Sequence, residues 1–422
     1  MGGLAQILKD SGHDVSGSDM QFYPPMSEHL NALKIDLIEG YALDDLPEAD
    51  LYVIGNALSR GNESVEHILN NRLPFKSGPE MLGEILRNRK VFAVSGTHGK
   101  TTTSYMLTHI FKSSGRDIGY LVGGISSDID GSASLGTDEI FVIEADEYDS
   151  AFFDKRSKFI HYRPSTLVIN NIEFDHADIF RDIIDIKRQF HHLVKTIPAS
   201  GNIIFYSDDT NSQDVIDEGV WSEAIAINNS EIQLSISGQS LTVSGEIFSL
   251  KDLPLLGEHN LRNYSAAILA ANKNGISIND SIESLKSFNG VKRRMELKGD
   301  FNGIKIFDDF AHHPTAIKMT SEAITKKFSD SKILGIIELA SNTMSGGFHG
   351  DDLLNAPQSL SNVIWIDHKG IINASNKEIF NSIEHAISYI KDRVFDYDII
   401  LIMTNKNSSN IYNPLIKYLE KK

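Results

Sequence analysis

Apolar residues occur along this chain in short, nearly continuous runs that alternate with segments of helical periodicity. Clear examples of these runs are "LYVIGN" at 51–56, "VFAVSG" at 91–96, "IFVIEADE" at 140–147, "TLVINNIE" at 166–173 and "KILGIIEL" at 332–339. Such runs are typical of parallel strands, which are buried on both faces of a sheet. Their alternation with helices predicts an α/β fold built from doubly wound units.

The pattern divides the chain into three blocks. Residues 1–88, which contain a short strand ending at Asp19, predict a small Rossmann-like domain. Residues 89–291 contain the runs of a central sheet and a β-rich insert at 232–250, and residues 292–422 predict a second Rossmann-like domain. Ligands of such sheets bind outside the carboxyl ends of the strands, so candidate side chains are expected there.

The composition narrows the function. Of the 422 residues 41% are hydrophobic, and 40 Lys and Arg stand against 57 Asp and Glu. The resulting net charge of -17 argues against broad binding to nucleic acid or to an anionic membrane. Because there is no cysteine, disulfides, thiolate catalysis and cysteine-based metal sites are excluded. The sequence has no apolar run of about 18 residues and no signal-peptide pattern, so we expect a soluble cytoplasmic protein.

The segment "SGTHGKTTT" at 95–103 carries the Gly-Lys-Thr core of a phosphate loop between a strand and a helix. Only two residues separate Gly96 and Gly99, where the commonest form of the motif has four. The glycines let successive N–H groups point inward, and the helix that starts near Lys100 adds its positive end. The Lys100 ammonium would neutralise phosphate oxygens, and the Thr101 hydroxyl would bind Mg²⁺. A structural glycine turn, the alternative, does not explain the lysine and threonine.

Carboxylates follow two of the apolar runs in the central block. The first group is Glu144, Asp146, Glu147 and Asp149. The second group contains the carboxylates Glu173 and Asp175 together with Asn171 and His176. Crowded carboxylates repel one another unless a cation lies between them. A site of Thr101, Glu144 and His176 would suit Mg²⁺ or Mn²⁺ near phosphates. An acidic solvated loop and a structural histidine are the alternatives.

Seven motifs together resemble those of the Mur ligases in identity and order. They are "SGTHGKTTT", "EADEYDSAFFDKRSKFIHYRP", "NNIEFDHADIF", "GEHNLRN", "RRMEL", "DDFAHHPTA" and "SNTM". The resemblance extends from the N-terminus to about Met344. It implies a three-domain Mur ligase architecture, with a UDP-sugar-binding domain at 1–88, a phosphate-loop ATPase domain at 89–291 and an amine- or peptide-binding domain at 292–422.

Within this family, the segment at 152–164 is similar to that of members that join UDP-N-acetylmuramate to the murein tripeptide L-Ala-γ-D-Glu-meso-diaminopimelate. The implied reaction belongs to peptidoglycan recycling and cell-wall biogenesis. It forms an amide through an acyl phosphate, uses ATP and Mg²⁺ (or Mn²⁺), and releases ADP and phosphate. The alternatives are a ligase that adds L-alanine to the same nucleotide sugar, a decayed homologue that only binds a nucleotide, and a phosphate-loop GTPase or mechanical ATPase.

The resemblance also implies roles for individual residues. The implied catalytic residues are Lys100, Glu144, His176 and Arg294, and the metal ligands are Thr101, Glu144 and His176. The implied ATP-binding residues are Gly96, Thr97, His98, Gly99, Lys100, Thr101, Thr102, His259, Asn260, Asn263, Arg294 and Asp309. Among these, Arg294 would reach the γ-phosphate and Asp309 would lie near the ribose. Substrate binding is expected at Asp19, His312, Ser341, Asn342 and Thr343.

The chain departs from the family pattern in three places. It begins inside what is, in the family, a glycine-rich turn after the first strand, so that strand and part of the UDP diphosphate site are expected to be missing. Ala340 stands where the family usually has an arginine, and "MTNKNSSNIY" at 403–412 stands where the tripeptide ligases have a glycine-rich turn. The last two departures lie in the block expected to bind the peptide and therefore bear on the amine substrate.

Overall fold

The computed structural model describes residues 1–22, 26–175, 179–255, 257–340, 344, 346–347, 350–374 and 377–422. These residues form two compact units. The first consists of Met1–Glu173, Ile183–Leu253 and Asn263–Phe288, and the second of Phe174–Asp182, Pro254–Arg262 and Asn289–Lys422. The first unit holds the block at 1–88 and most of the central block, and the second holds the C-terminal block. The block boundaries themselves remain predictions.

Short helices and short parallel strands alternate at the start of the first unit, as the sequence predicted. The elements are α1 (Gly2–Asp10), β1 (Ser16–Asp19), α2 (Met26–Ala32), β2 (Asp36–Glu39), β3 (Tyr52–Ile54), α3 (Glu63–Asn70), β4 (Phe75–Ser77) and α4 (Gly78–Ile85). Strand β1 pairs with β2, and β3 pairs with β4. Asn62 and Ser77 begin α3 and α4, because their side chains accept backbone N–H groups of the first turn.

The central part of the first unit is built on a seven-stranded sheet in the order β13-β12-β11-β5-β8-β6-β7, in which only β7 is antiparallel to its neighbour. A hairpin (β9, β10) and a three-stranded antiparallel sheet (β14 to β16) are added to it. The elements are β5 (Lys90–Ser95), α5 (Lys100–Ser113), β6 (Gly119–Leu121), β7 (Ala133–Ser134), β8 (Ile140–Glu144), β9 (Asp149–Ala151), β10 (Asp154–Ser157), β11 (Thr166–Ile169), α6 (Ile183–Val194), β12 (Asn202–Tyr206), α7 (Thr210–Asp217), β13 (Glu223–Ile227), β14 (Ile232–Ser235), β15 (Ser240–Val243), β16 (Glu246–Ser249), α8 (Glu258–Asn272) and α9 (Ile278–Leu285).

The register of this sheet brings three strand ends together. Strand β5 lies between β8 and β11, with Val94 opposite Glu144 and Ser95 opposite Ile169. The apolar side chains of β5 are buried, as expected for a parallel strand covered on both faces. The segments that follow β5, β8 and β11 therefore leave the sheet at one edge, where the phosphate loop and both groups of polar residues begin.

The second unit contains a six-stranded sheet in the order β17-β18-β22-β19-β20-β21, in which only β17 is antiparallel. Its elements are β17 (Glu296–Phe301), β18 (Ile304–Asp309), α10 (Pro314–Lys327), β19 (Ile333–Glu338), α11 (Gly350–Asn355), β20 (Asn362–Ile366), β21 (Glu378–Phe380), α12 (Ile383–Lys391), β22 (Ile399–Met403) and α13 (Ser409–Leu419). Across the described residues of the chain, no helix is long and apolar enough to cross a membrane.

Both faces of the second sheet are covered by helices. On one face, Ile336 belongs to a buried cluster with Leu415 of α13. On the other, the next strand residue, Ile337, belongs to a cluster with Ile317 of α10. Because successive side chains of a strand point to opposite faces, one apolar run supplies both cores. This explains why the sequence shows continuous rather than alternating apolar positions in these strands.

We expect Leu167→Ala to destabilise the first unit by about 2 to 5 kcal/mol, because truncation of a buried side chain leaves a cavity. Leu167 lies in β11 and has no exposed surface. Ile247→Ala on β16 is the control, since Ile247 is 72% exposed, and its effect should stay within about 0.5 kcal/mol. Urea unfolding followed by circular dichroism measures both. Equal destabilisation by the two changes would contradict the described packing of the sheet.

Candidate nucleotide and metal site

The phosphate loop runs from the end of β5 to the start of α5. Gly96 and Gly99 have φ angles of +128° and +80°, a region that side chains disfavour. A Cβ at Gly96 would lie 2.8 Å from the backbone oxygen of Asn171, which is too close for a real contact. The backbone therefore requires glycine here. The loop ends at the N-terminus of a 14-residue helix, where N–H groups and the helix dipole favour an anion.

Lys100 is the first residue of α5, and its ammonium lies among oxygens. Its Nζ donates to the Gly96 carbonyl oxygen at 2.7 Å and to Glu147 Oε2 at 3.1 Å. Asp146 Oδ1 lies 3.8 Å from the same nitrogen. Burial acts to lower the pKa of this lysine, but the charges of Glu147, Asp146 and Glu144 outweigh burial and raise it. Lys100 therefore stays charged at neutral pH.

Glu144 ends β8 and accepts two hydrogen bonds at the same edge of the sheet. Thr101 Oγ1 donates to Oε1 at 2.7 Å, and the backbone N–H of Gly123 donates to Oε2 at 2.7 Å. Burial, followed by the charge of Asp146, raises the pKa of Glu144, against the opposing effect of Lys100 and of the two hydrogen bonds. Thr101 and Glu144, two of the three predicted metal ligands, are thus in direct contact, and their binding of a metal remains a prediction. Their donor chemistry fits Mg²⁺, whose charge would relieve the crowding.

The segment after β11, the strand next to β5, supports the phosphate loop through hydrogen bonds. Asn171 Oδ1 accepts the N–H of His98 at 2.8 Å, and the Asn171 backbone oxygen accepts the N–H of Thr97 at 3.0 Å. The N–H of Glu173 donates to Thr97 Oγ1 at 2.8 Å, and its carboxylate lies 3.6 Å from His98 Nε2. Asn171 and Glu173 therefore fix both non-glycine residues inside the loop.

Sequence reasoning gave no role to two residues that support this arrangement. Asp209 caps α7 and also accepts the N–H of Ile172 at 3.0 Å, which ties the segment after β11 to the start of α7. Asn170 is 4% exposed and places its side-chain nitrogen against the phosphate loop. A signal for Asn170 was available, because it directly follows a buried strand of the same sheet. None was available for Asp209, which lies beyond the next helix and strand.

Four of the predicted site residues fall outside the described residues, namely His176, Ser341, Asn342 and Thr343. Of the predicted metal set, the structure therefore describes Thr101 and Glu144. Asp149 lies on β9 and pairs with Lys155 at 2.5 Å. Thr102 is buried in the first turn of α5. The proposed contacts of these residues with a nucleotide or a metal remain predictions.

The three predicted nucleotide contacts of α8 divide between the two units. His259 and Asn260 belong to the second unit, where His259 Nε2 and Asn260 Nδ2 lie 3.1 Å apart. Asn263 belongs to the first unit and is 5% exposed, and its Oδ1 accepts the hydroxyl of Thr103 at 3.1 Å. Asn263 thus lies against α5 immediately after the phosphate loop. Its contact with adenine or phosphate remains a prediction.

In the second unit, Asp309 ends β18 and is buried. Its Oδ2 accepts the N–H of Met295 at 2.7 Å, and its Oδ1 accepts the N–H of Ala311 at 2.8 Å. Burial raises the pKa of Asp309, against the charge of Arg294 and these two amides. The carboxylate therefore fixes the turn that carries Arg294, and its predicted place near the ribose remains a prediction.

The adjacent arginines of "RRMEL" have different surroundings. Arg293 Nη2 donates to the Thr404 carbonyl oxygen at 2.6 Å, and its Nε lies 3.4 Å from Asp308 Oδ2. The Arg294 guanidinium carbon lies 5.3 Å from the centre of the Phe310 ring. Arg293 thus anchors the turn, which leaves Arg294 as the candidate for phosphate binding.

The two C-terminal departures from the family pattern lie at one edge of the second sheet. Thr404, in the divergent 403–412 segment, donates its hydroxyl to Glu338 Oε2 at 2.5 Å. His368 Nε2 lies 2.9 Å from Glu338 Oε1, and Ala340 follows two residues after Glu338. This is the carboxyl edge of the parallel strands, where ligands of such sheets bind.

The two other predicted substrate residues have local partners. Asp19 ends β1, is exposed, and accepts the N–H of Met20 at 2.7 Å. His312 Nδ1 lies 2.8 Å from the backbone oxygen of Phe310, and the two rings are in edge contact. These contacts leave the substrate roles of Asp19 and His312 as predictions.

Comparison with known protein families assigns each part of the chain to one group of enzymes. Residues 1–90 match the profile described as Mur ligase family, catalytic domain. Residues 94–271 match the Mur ligase middle domain, and residues 293–405 match the profile described as Mur ligase, glutamate ligase domain. The three matches follow one another along the chain, which agrees with the predicted three-domain architecture.

Individual relatives are similar over most of their length. The UDP-N-acetylmuramate–L-alanyl-γ-D-glutamyl-meso-2,6-diaminoheptandioate ligase of Escherichia coli is 46% identical over 362 residues, 84% of this chain and 79% of the relative. The ligase of the same name from Haemophilus influenzae is 40% identical over 100% of this chain and 97% of the relative. A murein peptide ligase structure from Psychrobacter arcticus superposes with a TM-score of 0.76 at 37% identity, covering 100% of this chain and 97% of that one.

We expect Glu144→Gln to raise the thermal stability of the ligand-free protein at pH 8. The raised pKa of Glu144 means that ionisation is less favourable in the folded chain than in the unfolded one. Glutamine removes this penalty, can still accept the N–H of Gly123, and keeps a hydrogen bond to Thr101. The penalty exists only where Glu144 is ionised, so the gain should shrink as the pH falls toward the ordinary value of 4.5.

Melting curves across this pH range, with and without MgADP, measure the effect. Glu246→Gln on the exposed end of β16 is the control and should change neither curve. We also expect Glu144→Gln to lose most of the additional stabilisation that Mg²⁺ gives to bound ADP. A loss of stability comparable to a core truncation would show that the carboxylate is needed for folding instead.

Proposed function

We propose that this chain, which belongs to the Mur ligase family, is the ATP-dependent ligase that joins UDP-N-acetylmuramate to L-alanyl-γ-D-glutamyl-meso-diaminopimelate. The observation that carries the proposal is the arrangement at the end of the phosphate loop, where Lys100 contacts Glu147 and Asp146 and where Thr101 donates to Glu144. The proposal is supported by two relatives that bear this activity in their names and that align with 84% and 100% of this chain. We further propose that the enzyme acts in the cytoplasm, with small-molecule substrates and with neither nucleic acid nor membrane as a partner.

The reaction needs ATP because a carboxylate oxygen is a poor leaving group. The carboxylate of UDP-N-acetylmuramate takes the γ-phosphoryl group of ATP, which gives an acyl phosphate and ADP. The amine of the tripeptide then attacks the acyl carbon, the bond from carbon to the phosphate oxygen breaks, and the amine loses a proton. Amide, ADP and inorganic phosphate are the products, so each turnover consumes one ATP.

In the first step two anions approach each other, and the protein offsets their repulsion. Lys100 stays protonated and lies at the end of the phosphate loop, whose N–H groups and helix start face the phosphates. When Mg²⁺ is bound, it would be held by Thr101 and Glu144, with His176 as the further ligand that the family resemblance implies, and it would supply positive charge to the phosphate oxygens. Such positioning and electrostatic stabilisation provide most of the catalysis in phosphoryl transfer.

We propose that Arg294 binds the transferred phosphoryl group and offsets the rest of its negative charge. Its turn is held by Asp309 through the amide of Met295, and by Arg293 through the Thr404 carbonyl oxygen. In the second step, holding the tripeptide amine beside the acyl phosphate would remove encounter entropy, which is worth up to about 7 to 11 kcal/mol in well-oriented reactions. We place the tripeptide at the carboxyl edge of the second sheet, near Glu338 and His368.

A ligase that adds L-alanine to the same nucleotide sugar is the second candidate. A relative from Clostridium botulinum with that name is 34% identical over 349 residues, 80% of this chain. The hairpin of β9 and β10 and the segment after it favour the tripeptide ligase, because "FFDKRSKFIHYRP" is similar to that branch. Ala340 and the 403–412 segment are the positions at which this chain departs from it, so substrate choice is the decisive test.

We expect ADP release to require Mg²⁺, UDP-N-acetylmuramate and the tripeptide together. A coupled assay for ADP with each component omitted in turn measures this requirement. Lys100→Met should lower turnover at least a hundredfold while leaving circular dichroism unchanged, because the side chain keeps its length and loses its charge. Faster turnover with L-alanine than with the tripeptide would move the assignment to the L-alanine ligase. Turnover without any acceptor would favour a simple nucleotidase.

A further inference from the structure

Asn170 lies in a buried position where it contacts three parts of the first unit. It directly follows β11 and is 4% exposed. Its Nδ2 lies 3.2 Å from the carbonyl oxygen of His98 in the phosphate loop, 3.0 Å from Thr103 Oγ1 on α5 and 3.4 Å from Asn263 Oδ1 on α8. One amide group therefore connects the loop to both helices.

Thr103 and Asn263 complete this buried group. Thr103 accepts from Asn170 and donates its own proton to Asn263 Oδ1 at 3.1 Å. Gly99, the last residue of the loop, packs directly on both amides, because a Cβ there would lie 2.8 Å from Asn170 Nδ2 and even closer to Asn263 Oδ1. A substitution at Asn170 or Asn263 would therefore act directly on the loop backbone at Gly99.

The Asn170 side chain is oriented so that its nitrogen donates hydrogen bonds while its oxygen, within the described part of the chain, accepts none. Its Oδ1 is buried, and among the described residues no group forms a hydrogen bond with it. The amide orientation is assigned from its surroundings, and turning it over would place Oδ1 against the oxygens of His98 and Asn263. An unpaired buried oxygen lowers stability. An asparagine that served packing alone would be a poor choice at this position.

We propose that Asn170 is a positioning residue for the phosphates of the nucleotide. Its side chain fixes the His98 carbonyl and the Gly99 turn, so that the N–H groups of the loop and of the first turn of α5 stay directed at phosphate oxygens. The inference rests on the proposed function, because it takes the loop to bind ATP. Since Asn170 acts through the loop, its loss should weaken phosphate binding and leave the chemistry of bound ATP largely unchanged.

Two nearly isosteric changes test the proposal. Asn170→Asp keeps the shape of the side chain and replaces the donor by an oxygen, and Thr103→Val removes the hydroxyl that joins the two amides. Thr108→Val is the matched control. Thr108 is as fully buried on the same helix as Thr103, but its hydroxyl donates at 2.8 Å to Ser104 O, within α5.

Calorimetric titration with MgADP, well below the unfolding temperature, measures the effect. We expect Asn170→Asp and Thr103→Val to weaken ADP binding at least tenfold and to raise the KM for ATP by a similar factor, with kcat changed less than threefold. Thr108→Val should stay within twofold of wild type. If Asn170→Asp does not fold, Thr103→Val carries the test by itself.

Wild-type affinity in both variants, or an equal loss in Thr108→Val, would overturn the inference. In the second case the packing of α5, and not the amide group, would control the loop. Failure of the unchanged enzyme to bind MgADP is a different result, because it would overturn the proposed function and the inference with it.

Discussion

The first unit depends on the balance of charge around Lys100. Its ammonium lies within 4 Å of Glu147 and Asp146, while Glu144 contributes to the same field from the end of β8. Carboxylates that lie close together repel one another, and a buried ammonium is unfavourable without a counter-charge. The lysine and the carboxylates around it therefore stabilise each other. The carboxylates of Glu147 and Asp146 hold the lysine at the start of α5.

This balance requires particular backbone geometry. Strand β5 lies between β8 and β11. The phosphate loop, Glu144 and the adjacent residues Asn170 and Asn171 therefore lie at neighbouring positions on one edge of the sheet. The loop is then supported from both sides: Asn171 and Glu173 hold its interior residues, and Asn170 holds its end. Gly96 and Gly99 are needed because the supporting backbone and amides occupy the space that a Cβ would take.

The second unit applies the same principle with different residues. Asp309 holds the turn of Arg294 through backbone amides, and Arg293 is bound to the Thr404 carbonyl oxygen and Asp308. Arg293 thus holds the turn that carries Arg294, so this arginine pair is ordered by its contacts instead of lying on a solvated surface. The divergent segment at 403–412 takes part in this support through Thr404. Divergence there therefore affects the residues that support the edge of the sheet.

The sequence by itself determined the α/β class, the positions of the main strands along the chain and the segment that forms the phosphate loop. It could do so because parallel strands buried on both faces leave continuous apolar runs, and because the motif residues directly follow those runs. Only the tertiary structure decided which residues support them. Asp209, Asn170 and Arg293 act through contacts that depend on strand order and on helix packing. The sequence shows that Asn170 follows a buried strand, but it does not show which residues any of the three contacts. Asp309 is a further example: the family resemblance implies a place near the ribose, which stays a prediction, while the tertiary structure shows that its buried oxygens accept the N–H groups of Met295 and Ala311, because the fold brings those two amides to the end of β18.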